Sequence, residues 1–330
     1  MDQIVSIIDV AKRAGVAKST VSNVLSGKKY VSDELKQRVL RVCEELNYHP
    51  NFYASALSSK KTNIIALLLE SSENIEQKMY QNLVTACIKE ASVYNYALLV
   101  YYNSKKESII ETLRKGCAPI DGAIMMSPCI KDERILQFDS QNTSFVVIGR
   151  PENANHYNCV DIDNVALVKE TTMELIKLSG ETNIYLVNSD ESMTISQDRQ
   201  RGFEAGCIEV GVDALNRIIH KDDVSALESR VVNGSVFITC DDVVALRIYE
   251  ISKGKGLVIG KDVSVFSLGR SIVSGTFDPP LSYAEQDYTM LGKKAVEMLV
   301  FVINNEKAKK KHSLYRSKIV IGNSVKRIKD

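Results

Sequence analysis

The chain has 330 residues, 45% of them hydrophobic and 25% charged. These ordinary globular values suggest about two domains and exclude a disordered, collagenous or low-complexity protein. Its 42 Lys and Arg nearly balance 41 Asp and Glu, but residues 1–61 are net +4 and the remainder net −3, an asymmetry expected of a nucleic-acid-binding end. In chain order, Ser6-Ile7-Ile8-Asp9 reads as a capping box, a hydroxyl N-cap with an acid three residues on. Val10, Ala11 and Ala14 then carry an apolar helix face to a stop at Gly15. A second helix runs through Lys18-Ser19-Thr20-Val21-Ser22-Asn23-Val24-Leu25 and closes at Ser26-Gly27. Two short helices joined through a glycine turn form a helix-turn-helix unit. A third helix starts at Ser32, with Asp33 and Glu34 at its positive end and Leu35, Val39, Val42 and Leu46 as its buried stripe. It ends before His49-Pro50, because the residue preceding proline avoids the helical region.

Spacing alone would also suit an ordinary three-helix bundle with a hydrated face. The second helix argues for more. Its outward positions, Lys18, Ser19, Ser22 and Asn23, are small or hydrogen-bonding and include no acid. A helix entering the major groove needs such side chains to meet base edges. Residues 51–61, NFYASALSSKK, read locally as a polar linker.

From Thr62 onward, short apolar runs alternate with helix-length segments. The runs are 64–69, 97–101, 122–126, 145–148, 183–187, 217–219, 235–239 and 263–266, and helices are expected at 78–92, 164–179, 196–209 and 242–252. Alternation of this kind predicts parallel sheets in an α/β fold. About eight units suit either a barrel or two doubly wound subdomains.

Several tempting motifs lack their context. Gly254-Lys255-Gly256 with Gly260 has a faintly dinucleotide-like spacing but follows a helix, so a helix end and turn are expected. No phosphate loop and no Gly-x-Ser-x-Gly elbow occur, and the four histidines are too scattered for a metal site. The expectation is a non-enzyme without metal or cofactor. Seven scattered cysteines, none spaced CxxC, read mostly as buried small hydrophobes. Lys307–Lys311 reads as a solvated loop. With no apolar run near the roughly 20 residues of a membrane span and no leader-like start, a cytoplasmic location and no membrane partner are expected.

The segments Ile8–Val16, Ser19–Gly27 and Glu45–Asn51 together resemble the DNA-binding head of the LacI/GalR family of bacterial transcription regulators. The resemblance continues through Ile120–Ile124, Ile148–Pro151, Arg199–Phe203, Asp242–Ala245, Lys261–Val265 and Phe277–Leu281. It implies an all-α helix-turn-helix head and an α/β periplasmic-binding-protein-like body of two doubly wound lobes. The implied boundaries are 1–50 for the head, 51–61 for a hinge helix and 62–330 for the body. Within the body, 62–160 plus 290–325 would form one lobe and 161–289 the other.

By that resemblance Lys18, Ser19 and Asn23 read bases, with Ser6, Thr20 and Ser22 completing the head's DNA-facing set. Asn51, Tyr53, Leu57 and Lys60 belong to the hinge, where Asn51 would cap the helix and Leu57 would wedge into the minor groove. Ala17 stands where the family usually caps the second helix, Asn23 where it usually has Arg, and Ser55 replaces a common Arg. The implied effector set is Met79, Tyr80, Arg150, Arg199, Asp242 and Arg270, beyond the carboxyl ends of the strands. Tyr80 would offer a stacking face, Arg199 a forked donor and Asp242 an acceptor. Read locally, Arg199 is a surface helix charge and Asp242 an N-cap. Ser267–Arg270 replaces the family's usual Gly-Phe-Asp-Asp, adding a cation that suits an anionic ligand or marks an altered effector response. The implied function is a homodimeric regulator, a repressor by preference, bound to pseudo-palindromic operator DNA and controlled by a sugar or sugar phosphate. A nucleobase or a phosphocarrier protein is the alternative effector, and a cytosolic sugar-binding protein the alternative function.

Overall fold

The computed structural model describes residues 5–26, 29–48, 61–70, 78–103, 119–269, 276–305 and 311–328. The chain divides into two compact units, Met1–Thr62 and Asn63–Asp330.

In the first unit, α1 (Ile7–Ala14), α2 (Lys18–Ser26) and α3 (Asp33–Glu45) enclose a small core of Val10, Ala11, Ala14, Val21, Val24, Val39, Val42 and Cys43. The capping box at α1 is present: the Ser6 amide and hydroxyl donate to Asp9 Oδ2 at 2.9 and 2.6 Å. Gly15 ends α1 at φ +64°, a left-handed position that favours glycine. Its amide donates back to the Lys12 carbonyl, and that tight reversal sets α2 across α1.

The second unit is built on two six-stranded sheets. The first contains β1 (Ile64–Glu70), β2 (Ala97–Asn103), β3 (Gly122–Met126), β4 (Ser144–Ile148), β5 (Cys159–Ile162) and β11 (His312–Tyr315). Its order is β11-β5-β4-β3-β1-β2, with every pairing parallel. The second contains β6 (Asn183–Asn188), β7 (Ile218–His220), β8 (Ser235–Thr239), β9 (Val263–Ser267), β10 (Ser282–Glu285) and β12 (Lys318–Val320), in the order β12-β10-β9-β8-β6-β7. Apart from the outermost strand, each sheet repeats one doubly wound order, with its first strand between its second and third. The fold is therefore a helix-turn-helix head with a body of two doubly wound α/β lobes.

Both faces of each sheet are covered, so β3, β8 and β9 are buried at every position. Alternate residues supply the two faces. Ile65, Leu67, Ile124 and Val146 meet Leu83 and Cys87 of α4 (Lys78–Val93) and Leu291, Ala295 and Leu299 of α10 (Tyr288–Asn304). Ala66, Leu68, Met125 and Val147 meet Ile135 and Phe138 of α5 (Glu133–Ser140). In the second lobe, Ile184, Leu186, Val236 and Ile238 face α6 (Asn164–Ser179) and α7 (Thr194–Glu209). The opposite face packs on α8 (Val224–Arg230) and α9 (Asp242–Gly254). Helices α6 and α7 cross closely because Gly202 and Gly206 lack side chains; a Cβ at Gly202 would lie 2.5 Å from the Val165 carbonyl oxygen.

The chain passes between the sheets three times. The first two passages each lead into a helix capped by aspartate: Asp163 accepts from Ala166 N at 3.0 Å, and Asp287 from Met290 N at 2.8 Å. The third passage corrects the expected lobe division. Residues 318–320 pair antiparallel with β10 in the second sheet, not with the lobe of 62–160 plus 290–325. The expected break between 160 and 161 also falls inside β5.

The eight runs read from sequence each fall on a strand, the sixth beginning one residue early at Arg217, whereas β5, β10, β11 and β12 have no such run. Those four are short, and Asp161 interrupts the apolar pattern of β5. Gly254 ends α9 and Gly256 turns at φ +69°, the helix end expected there. Five cysteines, Cys43, Cys87, Cys159, Cys207 and Cys240, are buried and Cys129 is half-buried; Cys117 lies outside the described residues, as do 306–310 of the lysine run. Among the described residues, no helix is long and apolar enough to cross a membrane.

Candidate nucleic-acid interface and interlobe site

The core-facing pattern of α2 decides what it exposes. Val21 and Val24 point inward, leaving Lys18, Ser19 and Ser22 exposed and Thr20 and Asn23 half-buried on the other side. Ser6 is exposed at the start of α1. The first turn of α2 contains no acid, and the Ala17 carbonyl accepts from Thr20 N at 2.9 Å without a capping side chain. An uncapped helix start directs amide donors and a partial positive charge outward, beside the Lys18 ammonium. Asn51, Tyr53, Leu57 and Lys60 lie outside the described residues.

The second cluster forms where the carboxyl ends of the strands in both sheets approach. The segment before α7 is pinned to the first lobe: Ile130 N donates to Ser192 O at 2.8 Å, and Thr194 Oγ1 donates to Pro128 O at 3.0 Å. That anchoring brings the first two turns of α7 against the end of β4. Arg150 Nε donates to Asp198 Oδ2 at 2.6 Å, and Arg201 closes on the other oxygen of the same carboxylate. Asp198 is therefore buried between two guanidinium groups.

Asp161, on β5, is only 8% exposed. Burial pushes its carboxyl up to about 7; the Ile162 amide (2.7 Å) opposes the rise, the Asp198 charge adds to it and Arg150 counters it. Tyr288 opens α10 with its hydroxyl bonded to Gln286, whose Nε2 donates to Leu268 O at 2.9 Å. Burial holds the Tyr288 hydroxyl up to about 12, so it stays a donor at neutral pH. His312 is held below its usual value by burial first, then by Arg150.

Arg199 is 7% exposed, which rejects its reading as a surface charge. Its Nε is buried and has no hydrogen-bond partner among the described residues. Leaving a buried N–H donor unmatched is costly, so this edge of the guanidinium is suited to receive an acceptor. Asp242 is fully buried as the first residue of α9; the N-cap is its neighbour Asp241, which accepts from Val244 N at 2.9 Å. The expected capping role thus moves by one residue.

Tyr80 does not present the expected stacking face. Its ring is 7% exposed and packs in the apolar core with Leu83 and Cys87. The Met79 side chain and Arg270 lie outside the described residues. The structure thus brings Arg150 and Arg199 to one junction, and adds Asp161, Asp198, Gln286, Tyr288 and His312. Of these, the Asp161-x-Asp163 pair in a strand–helix turn was the one sequence signal available.

Residues 6–51 match the family described as bacterial regulatory proteins, lacI family, and residues 174–325 match the periplasmic binding protein-like domain. The chain is 27% identical over 302 residues to HTH-type transcriptional regulator DegA of Bacillus subtilis, covering 87% of this chain and 88% of DegA. It is 27% identical over 314 residues to catabolite control protein A of Staphylococcus aureus, covering 92% and 94%. Among solved structures, the Lac repressor dimer bound to operator and the anti-inducer ONPF superimposes with a TM-score of 0.79 at 20% identity, covering 98% of this chain and all of that one. The transcriptional regulator CelR–cellobiose complex gives 0.71 at 22% identity, covering 97% and 99%. These two likenesses concern the fold.

Head and body together define the class: a transcriptional regulator with a DNA-binding domain and a ligand-binding domain. The chain carries a lacI-family DNA-binding domain and a periplasmic-binding-protein-like domain, and it is similar along most of its length to regulators of that family.

Proposed function

We propose that this regulator is a repressor that binds a near-palindromic operator as a homodimer and releases or tightens its grip when a small effector enters the interlobe site. The effector class is a sugar or sugar phosphate. The observation that carries this reading is the buried Arg199 fork, with an open Nε, beside the interlobe pair Arg150–Asp198. A ligand carrying hydroxyl or phosphoryl oxygens would satisfy Arg199 and bear on the contact between lobes. On the head, Lys18, Ser19 and Asn23 are the base readers, Lys for guanine O6/N7 and Asn for adenine N6/N7, with Ser6, Thr20 and Ser22 beside them. The hinge residues Asn51, Tyr53, Leu57 and Lys60 carry the central operator contacts, while Asp242 and Arg270 flank the effector. Coupling would arise because lobe angle sets the spacing of two hinges on one duplex. Action is by binding, not catalysis, in the cytoplasm.

The test is selection of duplexes from a random pool by the full chain, repeated with sugars, sugar phosphates and nucleobases that raise its melting temperature. A ligand stabilises in proportion to the logarithm of its concentration over Kd, so weak effectors are detectable. Enrichment of a two-fold symmetric site whose retention changes with a stabilising sugar or sugar phosphate is expected. Failure to enrich any site under every condition would overturn the reading.

A further inference from the structure

A cavity of about 310 Å³ opens at the edge of the second lobe, beside α7 and the carboxyl ends of β6 and β7. None of its lining residues belongs to the Arg199 cluster. Its size falls at the lower end of small-molecule sites.

The lining is mostly neutral and polar, with Glu191 its one carboxylate and His220 its one imidazole. Asn188, Gln197 and Gln200 contribute carboxamides, Ser189 and Ser196 contribute hydroxyls, and Ile219 forms an aliphatic wall. Asn188 is 5% exposed; its Nδ2 donates to Ser196 O at 2.9 Å, while its buried Oδ1 has no hydrogen-bond partner among the described residues. Buried acceptors are normally paired, so this one calls for a donor. The His220 Nδ1 accepts from Asp222 N at 3.3 Å, which leaves Nε2 as the ring's donor. Carboxamides, hydroxyls and an aliphatic wall match the alternating O–H and C–H surface of a polyol, and the lining holds no Lys or Arg to neutralise an anion.

The cavity also shares a wall with the contact between lobes. Ser189 and Glu191 line it, and the next two residues bond to the first lobe, Ser192 accepting from Ile130 and Met193 bridging to Cys129. We propose that this cavity is a second ligand site, distinct from the interlobe site, which takes a neutral, hydroxyl-rich molecule of monosaccharide size and acts on the 189–193 contact.

The experiment follows the side-chain amide resonances of Asn188, Gln197 and Gln200 in the full chain. D-glucose and D-mannitol are the neutral probes and glucose 6-phosphate is the anionic one. The neutral probes should move these resonances in the wild type and equally in Arg199→Ala, which lies outside the cavity. Gln197→Trp, which fills the space, should abolish the response, and the milder Gln200→Ala should weaken it about tenfold, the loss of one hydrogen bond's worth of affinity. Three results would overturn the proposal. One is no movement at millimolar probe, another is a response lost in Arg199→Ala but kept in both glutamine variants, and the third is, in Arg199→Ala, tighter binding of glucose 6-phosphate than of glucose as read from these resonances.

Discussion

Arg150 at the end of β4 and Asp198 in the second turn of α7 meet at 2.6 Å, joining the two lobes through a carboxylate that is 4% exposed. Arg201 shares the same carboxylate but is 55% exposed. The two partners therefore carry very different weights. Asp198→Asn leaves Arg150 half-buried opposite a neutral amide and should cost about 3 kcal/mol, because removing one member of a buried pair strands the other. Arg201→Gln should cost under about 1 kcal/mol, as for an exposed pair. Urea unfolding of both variants checks the ranking; equal losses would show that Arg150 does not hold the junction.

Asp161 gives the body a pH dependence of definite sign. Its folded-state carboxyl titrates near 7, against an ordinary 3.8, so the folded state holds the proton longer than the unfolded chain. Stability from this group is full below the ordinary value and falls as pH rises from about 4 to about 7. His312, depressed by burial, acts in the other direction: its contribution is present above its ordinary 6.5 and is lost as pH falls. Asp161→Asn keeps His312 and removes the first slope. The stability difference between mutant and wild type should therefore move in the mutant's favour between pH 4 and 8, measured by urea unfolding. A difference that stays constant with pH would refute the assignment.

Gly202→Ala tests the α6–α7 crossing. The added methyl would meet the Val165 carbonyl, which belongs to backbone and cannot turn aside, and the expected loss is about 1–3 kcal/mol. Gly254→Ala, at the end of α9 with nothing within 4 Å, is the control and should be neutral or gain up to about 1 kcal/mol. Thermal unfolding separates the two.

The head and hinge should respond differently to substitution. Asn23→Ala should relax preference at one base pair of the operator by about 1–3 kcal/mol. Lys60→Ala should weaken binding to all duplexes alike and reduce the salt slope of log K by about one unit. Affinities across an operator panel at several salt concentrations distinguish these outcomes, and an unchanged base preference in Asn23→Ala would reject α2 as the reading helix.

Much of the fold was legible because local chemistry decides it. The Ser6–Asp9 box, the Gly15 stop and the alternation of apolar runs with helical segments each act over a few residues, and the structure keeps them. The interlobe site was legible only in part. Read locally, Arg199 is a surface charge because its helix is amphipathic only weakly; only the resemblance places it in the ligand set, and nothing nearby announces that the fold buries it. Tyr80 reads as an open aromatic because the depth at which α4 packs is not written in its own spacing. Asp161 and Tyr288 carry no sign that the passages between sheets bring them together.

The order of residues alone determined the three-helix head, the side chains α2 leaves facing outward and the α/β character of the body, since periodicity and capping are short-range effects. Tertiary structure decided which strands join which sheet, that residues 318–320 close the second lobe, and that Arg150, Asp161, Asp198 and Arg199 share one junction. The reason is physical: burial and charge pairing depend on contacts between segments far apart in the chain, and no local pattern encodes the water that folding removes.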